Sequence, residues 1–252
     1  SVSKLAVVTG TSAGLGAAVA KQLVSRGWTV VGIARRSVTL DEEHYHHISL
    51  DLSDADAVED AIEDEIAPMI RDRDWSRVGL VNNAASVALL GPLQNADANS
   101  LLSAYSLSFS SPVALMAAVS RHTRLHVALR IVNVSSGAAV FVVPGLATYA
   151  SAKAGLRWAG MILAAEWTSA VPHAPMRTDG SILSYEPGIV DTAMQKHARS
   201  LAPEEFPWVE MFQRYEREGR LVSPDLPAAD IVKHLESNNR PAFEERRYGT
   251  PK

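Results

Sequence analysis

Two rhythms of apolar residues take turns along the chain. Residues 5–8, Leu-Ala-Val-Val, form an unbroken apolar run, which predicts a strand covered on both faces. Residues 17–24, Ala-Ala-Val-Ala-Lys-Gln-Leu-Val, then follow the helical period. The alternation repeats, predicting further strands at Trp28–Ala34, His47–Leu50, Val78–Val81, Ala128–Val134 and Gly180–Tyr185. One helix is expected to start at a Ser53 or Asp54 cap and to run to about Ala67, because Pro68 discourages its continuation. Others are expected from about Asn99 to His122, from the Tyr149 region to about Thr168, and near 203–218 and 224–237.

Strands separated by helices predict an α/β fold: a doubly wound, Rossmann-like parallel sheet with helices on both faces and right-handed crossovers. No linker-like break or internal repeat interrupts residues 1–252, so a single domain is expected. Ligands of such sheets bind beyond the carboxyl ends of the strands, and the polar motifs of this chain fall there.

Composition narrows the function. Hydrophobic residues make up 47% of the chain, enough for a sizeable core. Twenty-four basic against 28 acidic residues, net −4, give no electrostatic reason for a nucleic-acid or membrane partner. The absence of cysteine excludes disulfides and thiolate chemistry. The N-terminal stretch has no signal-peptide cleavage pattern and no apolar run reaches spanning length, so a cytoplasmic location is expected. His44, His46 and His47 form a cluster near Asp41, Glu42 and Glu43, but they lack ligand spacing on one rigid element and fit a solvated loop rather than a metal site.

Gly10, Gly14 and Gly16 lie between the first strand and its helix, with Thr11, Ser12 and Leu15 among them. Glycines let a phosphate approach the backbone, and the helix start offers it free N–H groups and a positive dipole end. The spacing is G-x-x-x-G-x-G rather than the common G-x-G-x-x-G. Where an acidic residue would receive a ribose 2′-hydroxyl, this chain has Arg35 and Arg36, which suit a 2′-phosphate and favour NADPH over NADH. Asp51, followed by Leu52, is placed at the third strand end to contact adenine or to cap the next helix. Tyr149 and Lys153, four apart, share one helix face, and Ser136 follows the apolar 128–134 run. A hydroxyl, a phenol and an ammonium meeting at one point can move a proton onto or off a carbonyl oxygen.

Taken in order, residues 9–16, Asn82-Asn83-Ala84, Ser136, Tyr149-x-x-x-Lys153 and residues 187–192 resemble the short-chain dehydrogenase/reductase family over about residues 4–195. The stretches 187–195 and 212–221 look most like its sepiapterin reductase and benzil reductase branch. The resemblance implies that Tyr149 protonates a carbonyl oxygen as hydride arrives from the nicotinamide, while Ser136 holds that oxygen. Lowering a phenol from about 10 toward 7 takes about 4 kcal/mol, for which Lys153 and the oxidised nicotinamide are the implied sources. The resemblance places Lys153 on the nicotinamide ribose, Thr192 on the carboxamide, and Pro187, Gly188, Ile189 and Val190 along the nicotinamide. Asn83 and Ala84 fall on the cofactor side, braced by Asn82 and Thr9.

The family's usual Gly is here Ala85, and its usual Asn in the long helix is here Ser108. In the family that residue's main-chain carbonyl holds a relay water. Pro112 brings no N–H and is expected to leave the Ser108 carbonyl available, so Ser108 keeps a catalytic place. Residues 194–221, with Met194, Phe206, Trp208, Met211 and Phe212, read either as a lid over an apolar substrate or as a helix packed on the sheet; Val143 is a candidate for the opposite wall. The expectation is an NADPH-dependent carbonyl reductase for an apolar or aromatic ketone or diketone. Its rivals are an NAD(P)-dependent alcohol dehydrogenase running oxidatively and a cofactor-binding sensor. The resemblance also implies a homodimer or homotetramer.

Overall fold

A computed structural model of the chain describes residues 3–40, 43–86, 89–169 and 171–250; Asp41 and Glu42, beside the histidine cluster, lie outside them. Seven strands form one sheet: β1 (Lys4–Thr9), β2 (Thr29–Ala34), β3 (Tyr45–Ser49), β4 (Arg77–Asn82), β5 (Ala128–Val134), β6 (Gly180–Glu186) and β7 (Phe243–Arg247). Their order is 3-2-1-4-5-6-7 and every pairing is parallel. The order reverses between β1 and β4, which opens a crevice at their carboxyl ends.

Helices cover both faces. On one, α1 (Gly14–Ser25) and α9 (Asp225–Glu236) bury Leu15, Val19, Leu23, Ile231 and Leu235 against Ala6, Val8 and Val30. On the other, α2 (Ala55–Ala61), α3 (Ala67–Arg71), α4 (Ala98–Tyr105), α5 (Ser111–His122) and α6 (Ala147–Thr168) follow in chain order. Val58, Ile70, Leu115, Val119 and Leu156 of that layer pack with Leu5, Val7 and Leu129 of the sheet. Beyond the strand ends lie α7 (Ala193–Ser200) and α8 (Val209–Arg217).

One proline behaves differently from the sequence expectation. Pro68 does not stop its helix: residues 62–66 form a widened π turn in which the Ala67 N–H donates to the Ile62 carbonyl, and α3 continues to Arg71. The long helix repeats the device. Residues 106–110 form a π turn, the Ser111 N–H donates to the Ser106 carbonyl, and Pro112 follows at once. Each π turn sits where a proline would clash with the carbonyl four residues earlier, and relieves that clash. Residues 98–122 are, by length and composition, long and apolar enough to cross a membrane, contrary to the sequence reading. Leu115, Met116, Ala118 and Val119 of this stretch are packed in the core against the sheet, which accounts for its apolar character.

The seventh strand escaped the apolar rhythm. Its sequence, Phe-Glu-Glu-Arg-Arg, is mostly charged, as suits the edge of a sheet.

Candidate active site

The turn after β1 is built by exclusion of side chains. Gly10 adopts φ +75°, and its N–H donates to the Ile33 carbonyl at 2.8 Å. A Cβ on Gly10 would lie 2.7 Å from Asn83 Nδ2, and one on Gly16 would lie 2.3 Å from the Gly10 carbonyl oxygen. The first turn of α1, which contains Leu15, has no side-chain cap at Ala13. A helix N-terminus without a side-chain cap, behind a glycine turn, has the form that takes a phosphate.

Other elements tie into this turn. Thr9 Oγ1 accepts from the Asn83 and Ala84 N–H groups at 3.0 and 2.9 Å, and Asn83 Nδ2 donates to the Thr9 carbonyl at 3.0 Å. Arg36 Nη2 donates to Ser12 Oγ at 3.3 Å, which brings one of the two arginines to the turn; Arg35 is exposed beside it. Buried Thr11 hydrogen-bonds Tyr45 of β3 at 2.9 Å, and the Tyr45 phenol also meets His47 Nδ1 at 3.3 Å. Tyr45 passes over Gly32, where a Cβ would stand 2.0 Å from the phenol oxygen.

Asp51 turns on itself. Its Oδ1 accepts from the Ser53 N–H at 2.9 Å and from the Ser53 hydroxyl at 2.7 Å, and these bonds hold its carboxyl below the usual range. Asp54 is the cap of α2, accepting from the Ala57 N–H at 3.1 Å. Leu52 is buried in the core, and its carbonyl accepts from the Ser111 hydroxyl at 2.7 Å.

Ser136 lies two residues beyond the end of β5 and caps a short 3-10 turn, its Oγ accepting from the Ala138 N–H at 3.2 Å. Tyr149 and Lys153 occupy the first two turns of α6. Lys153 is only 2% exposed, its Nζ lies 5.7 Å from the Tyr149 ring centroid, and it donates to the Val134 carbonyl at 2.6 Å. The three side chains thus meet at the carboxyl end of β5.

Tyr149 is raised, not lowered, from the ordinary phenol value: burial is the largest cause, hydrogen bonding with Ser136 pulls it back, and the Glu186 carboxylate raises it again. Burial lowers the pKa of Lys153 to about 8, and its ammonium is directed to the Val134 carbonyl.

The segment after β6 closes the site from the glycine side. Pro187 is buried, Gly188 takes φ +78°, and buried Val190 forms a parallel bridge with Val222. Thr192 precedes α7, and its Cγ2 lies 3.2 Å from where a Cβ on Gly14 would stand. Above it, Leu146, Ala198, Phe206 and Val209 form a separate apolar cluster, with Val143, Ala150, Trp208 and Phe212 packed around it. Trp208 Nε1 donates to the Pro144 carbonyl at 2.8 Å, so residues 193–217 rest on the loop between Ser136 and Tyr149. Met194 is half-buried at the start of α7.

Ser108 is buried inside the π turn, and its hydroxyl accepts from the Ser86 N–H at 2.9 Å. A π turn stands at this point, and Pro112 denies the Ser108 carbonyl its helical donor. Asn82 Nδ2 reaches the Pro112 carbonyl at 3.3 Å and Asn133 Oδ1 at 2.9 Å.

Tyr45, Asn133 and Glu186 were not found from the sequence. Their contacts run between strands, and only Glu186 carried a positional signal, standing directly before Pro187-Gly188. Among the described residues, no group of three His, Cys, Asp or Glu side chains could hold a metal ion.

This fold and site define an oxidoreductase working between CH–OH and C=O groups with an NAD(P) nucleotide. The chain matches the short chain dehydrogenase family over residues 4–202 and belongs to it. It is 32% identical over 246 residues to a benzil reductase ((S)-benzoin forming) of Bacillus cereus, covering 94% of this chain and 96% of the relative. A benzil reductase of Bacillus subtilis is 29% identical over 234 residues, 92% of this chain and 93% of that one. Among solved structures, a short-chain dehydrogenase from Streptomyces avermitilis has a TM-score of 0.74 at 26% identity, covering 98% of this chain and 88% of the other. One from Saccharomyces cerevisiae shares the fold, with a TM-score of 0.78 at 22% identity over 98% and 97% of the two chains.

Proposed function

We propose that the protein is an NADPH-dependent carbonyl reductase acting on an apolar or aromatic ketone or diketone. The observation that carries this reading is the meeting of Ser136, Tyr149 and Lys153 at one strand end, under an apolar cover that includes Val143, Phe206 and Phe212. Similarity to benzil reductases supports the substrate class.

The bound nicotinamide would supply hydride. Gly10, Thr11, Ser12, Gly14, Leu15 and Gly16 would hold the phosphates, since the glycines let a phosphate approach the backbone and the start of α1 has no side-chain cap. Arg35 and Arg36 would pair with a 2′-phosphate through charge-assisted bonds. Asp51, Leu52, Asn83 and Ala84 would flank the adenosine side, and Pro187, Gly188, Val190 and Thr192 the nicotinamide side. Ser136 would hold the substrate oxygen, a hydrogen bond that strengthens as charge develops there. Tyr149, protonated because burial raises it, would deliver the proton to that oxygen. Lys153 would orient the ribose hydroxyls, and the carbonyl of Ser108 would hold a relay water. Met194, Trp208 and Phe212 would shape the substrate side and exclude water.

The test is NADPH consumption with benzil, acetophenone and a short aliphatic ketone, repeated with NADH. The reading expects turnover to be fastest with benzil and NADPH. Equal use of NADH would remove the role given to Arg35 and Arg36, and indifference to aromatic substituents would remove the substrate class.

A further inference from the structure

The loop between Ser136 and the start of α6 is apolar throughout: residues 137–146 read Gly-Ala-Ala-Val-Phe-Val-Val-Pro-Gly-Leu. Its far half joins the cover, with Leu146 inside the apolar cluster and Val143 packed on it. Its near half does not. Val140, Phe141 and Val142 are 60%, 69% and 97% exposed, and three consecutive apolar side chains left in water beside a reaction centre call for a partner. The backbone fixes where Phe141 stands. Its N–H donates to the Gly137 carbonyl at 3.0 Å, the Val140 N–H to the same oxygen at 3.1 Å, and the Ala139 N–H to the Ser136 carbonyl at 2.9 Å. The ring leans back over Gly137, its Cδ2 3.9 Å from where a Cβ on that glycine would stand, one residue from Ser136. The aromatic side chains of the cover are engaged elsewhere. Phe206 is fully buried, Phe212 packs edge-on against it at 5.5 Å, and Trp208 Nε1 is bonded to the Pro144 carbonyl. Among the described residues, Phe141 is the one phenylalanine that is exposed.

We propose that Phe141 is a specificity-determining residue: its ring receives an aryl group of the substrate beside the carbonyl whose oxygen Ser136 holds. Aromatic rings pair edge-to-face or offset, a gain beyond the area they bury, and covering Phe141 takes apolar surface of both partners out of water. The loop backbone holds the ring in place before substrate arrives, so little ordering opposes the contact. An alkyl group on the same carbonyl would bury less and pair with nothing. The contact is the same before and during hydride transfer, so it acts on KM rather than on kcat. The inference rests on the reading of the protein as a reductase of aromatic ketones or diketones, and adds the side chain that recognises the ring.

The test compares benzil with 2,3-butanedione, which presents the same pair of carbonyls without rings, in steady-state kinetics with NADPH. In the parent, kcat/KM should favour benzil. The ratio of the two kcat/KM values should fall about tenfold in Phe141→Ala and in Phe141→Leu, mostly through the KM for benzil. It should fall by less than about threefold in Phe141→Tyr, which keeps the ring. A purely structural role would lower both substrates together and leave the ratio in place. A ratio unmoved in Phe141→Ala, or lowered as far in Phe141→Tyr, overturns the proposal; with the parent still preferring benzil, the aromatic substrate class stands. A parent without that preference overturns the substrate class, and the proposal with it.

Discussion

The Ser108 hydroxyl accepts a hydrogen bond from the Ser86 N–H at 2.9 Å, tying the π turn of the long helix to the loop behind β4. The side chain that replaces the family's usual Asn is thus engaged in holding a loop. The backbone widening and Pro112 act on the carbonyl, to which the proposed relay is assigned. Ser108→Ala should therefore lower the free energy of unfolding by about 1 kcal/mol in a denaturant titration. Turnover should change by less than about tenfold in both Ser108→Ala and Ser108→Asn. A gain of two decades in Ser108→Asn would show that the missing Asn side chain limits the enzyme.

Lys153 is expected to cost stability. The unfolded chain keeps this proton up to the ordinary lysine value of 10.5, whereas the folded chain keeps it only to about pH 8. Unfolding therefore takes up a proton between these values, so stability rises as pH climbs from about 8 toward 10.5, and the full penalty applies below about 8. Lys153→Met removes the penalty along with the bond to Val134. It should be about 1–2 kcal/mol more stable than the parent at neutral pH, and it should lack this alkaline increment. It should also be inactive. Paired denaturant titrations at pH values either side of this window measure the difference.

Arg36 reaches Ser12 at the glycine turn, so the proposed preference for a 2′-phosphate should depend on it. Arg36→Ala should weaken NADPH binding about tenfold, read by titration calorimetry, and leave NADH nearly unchanged. Equal losses for both nucleotides would mean that the arginine only shapes the turn.

Tyr45 supports the same turn from below. An added Cβ at Gly32 would stand 2.0 Å from the phenol oxygen, so Gly32→Ala must push Tyr45 away from Thr11. The expected result is a loss of about 1–3 kcal/mol in stability together with weaker nucleotide binding. Tyr45→Phe, which keeps the shape and deletes the bond, should show the weaker binding with a smaller loss of stability.

The strands whose two faces are both covered could be read directly, because β1, β4, β5 and β6 are dominated by apolar residues, even where Arg130, Asn133, Ser181 or Ser184 interrupts them. Strand β7 could not, since an edge strand of Glu and Arg has no apolar rhythm. Gly10, Gly14 and Gly16 were visible because one short loop holds all three, and Tyr149 with Lys153 because one helix does. The contacts of Tyr45 over Gly32 and of Glu186 beside Gly137 depend on which strand lies beside which, and no local spacing encodes that. The direction of the Tyr149 shift escaped for a related reason. It follows from how deeply the surrounding chain buries the phenol and from a carboxylate on a distant strand.

Everything turns on Tyr149 as the proton donor, and one pair of measurements on Tyr149→Phe addresses it. Turnover of benzil with NADPH should fall by about three decades, while NADPH binding, followed by its fluorescence, stays within about threefold of the parent. Turnover within about tenfold of the parent, with binding intact, would contradict the account.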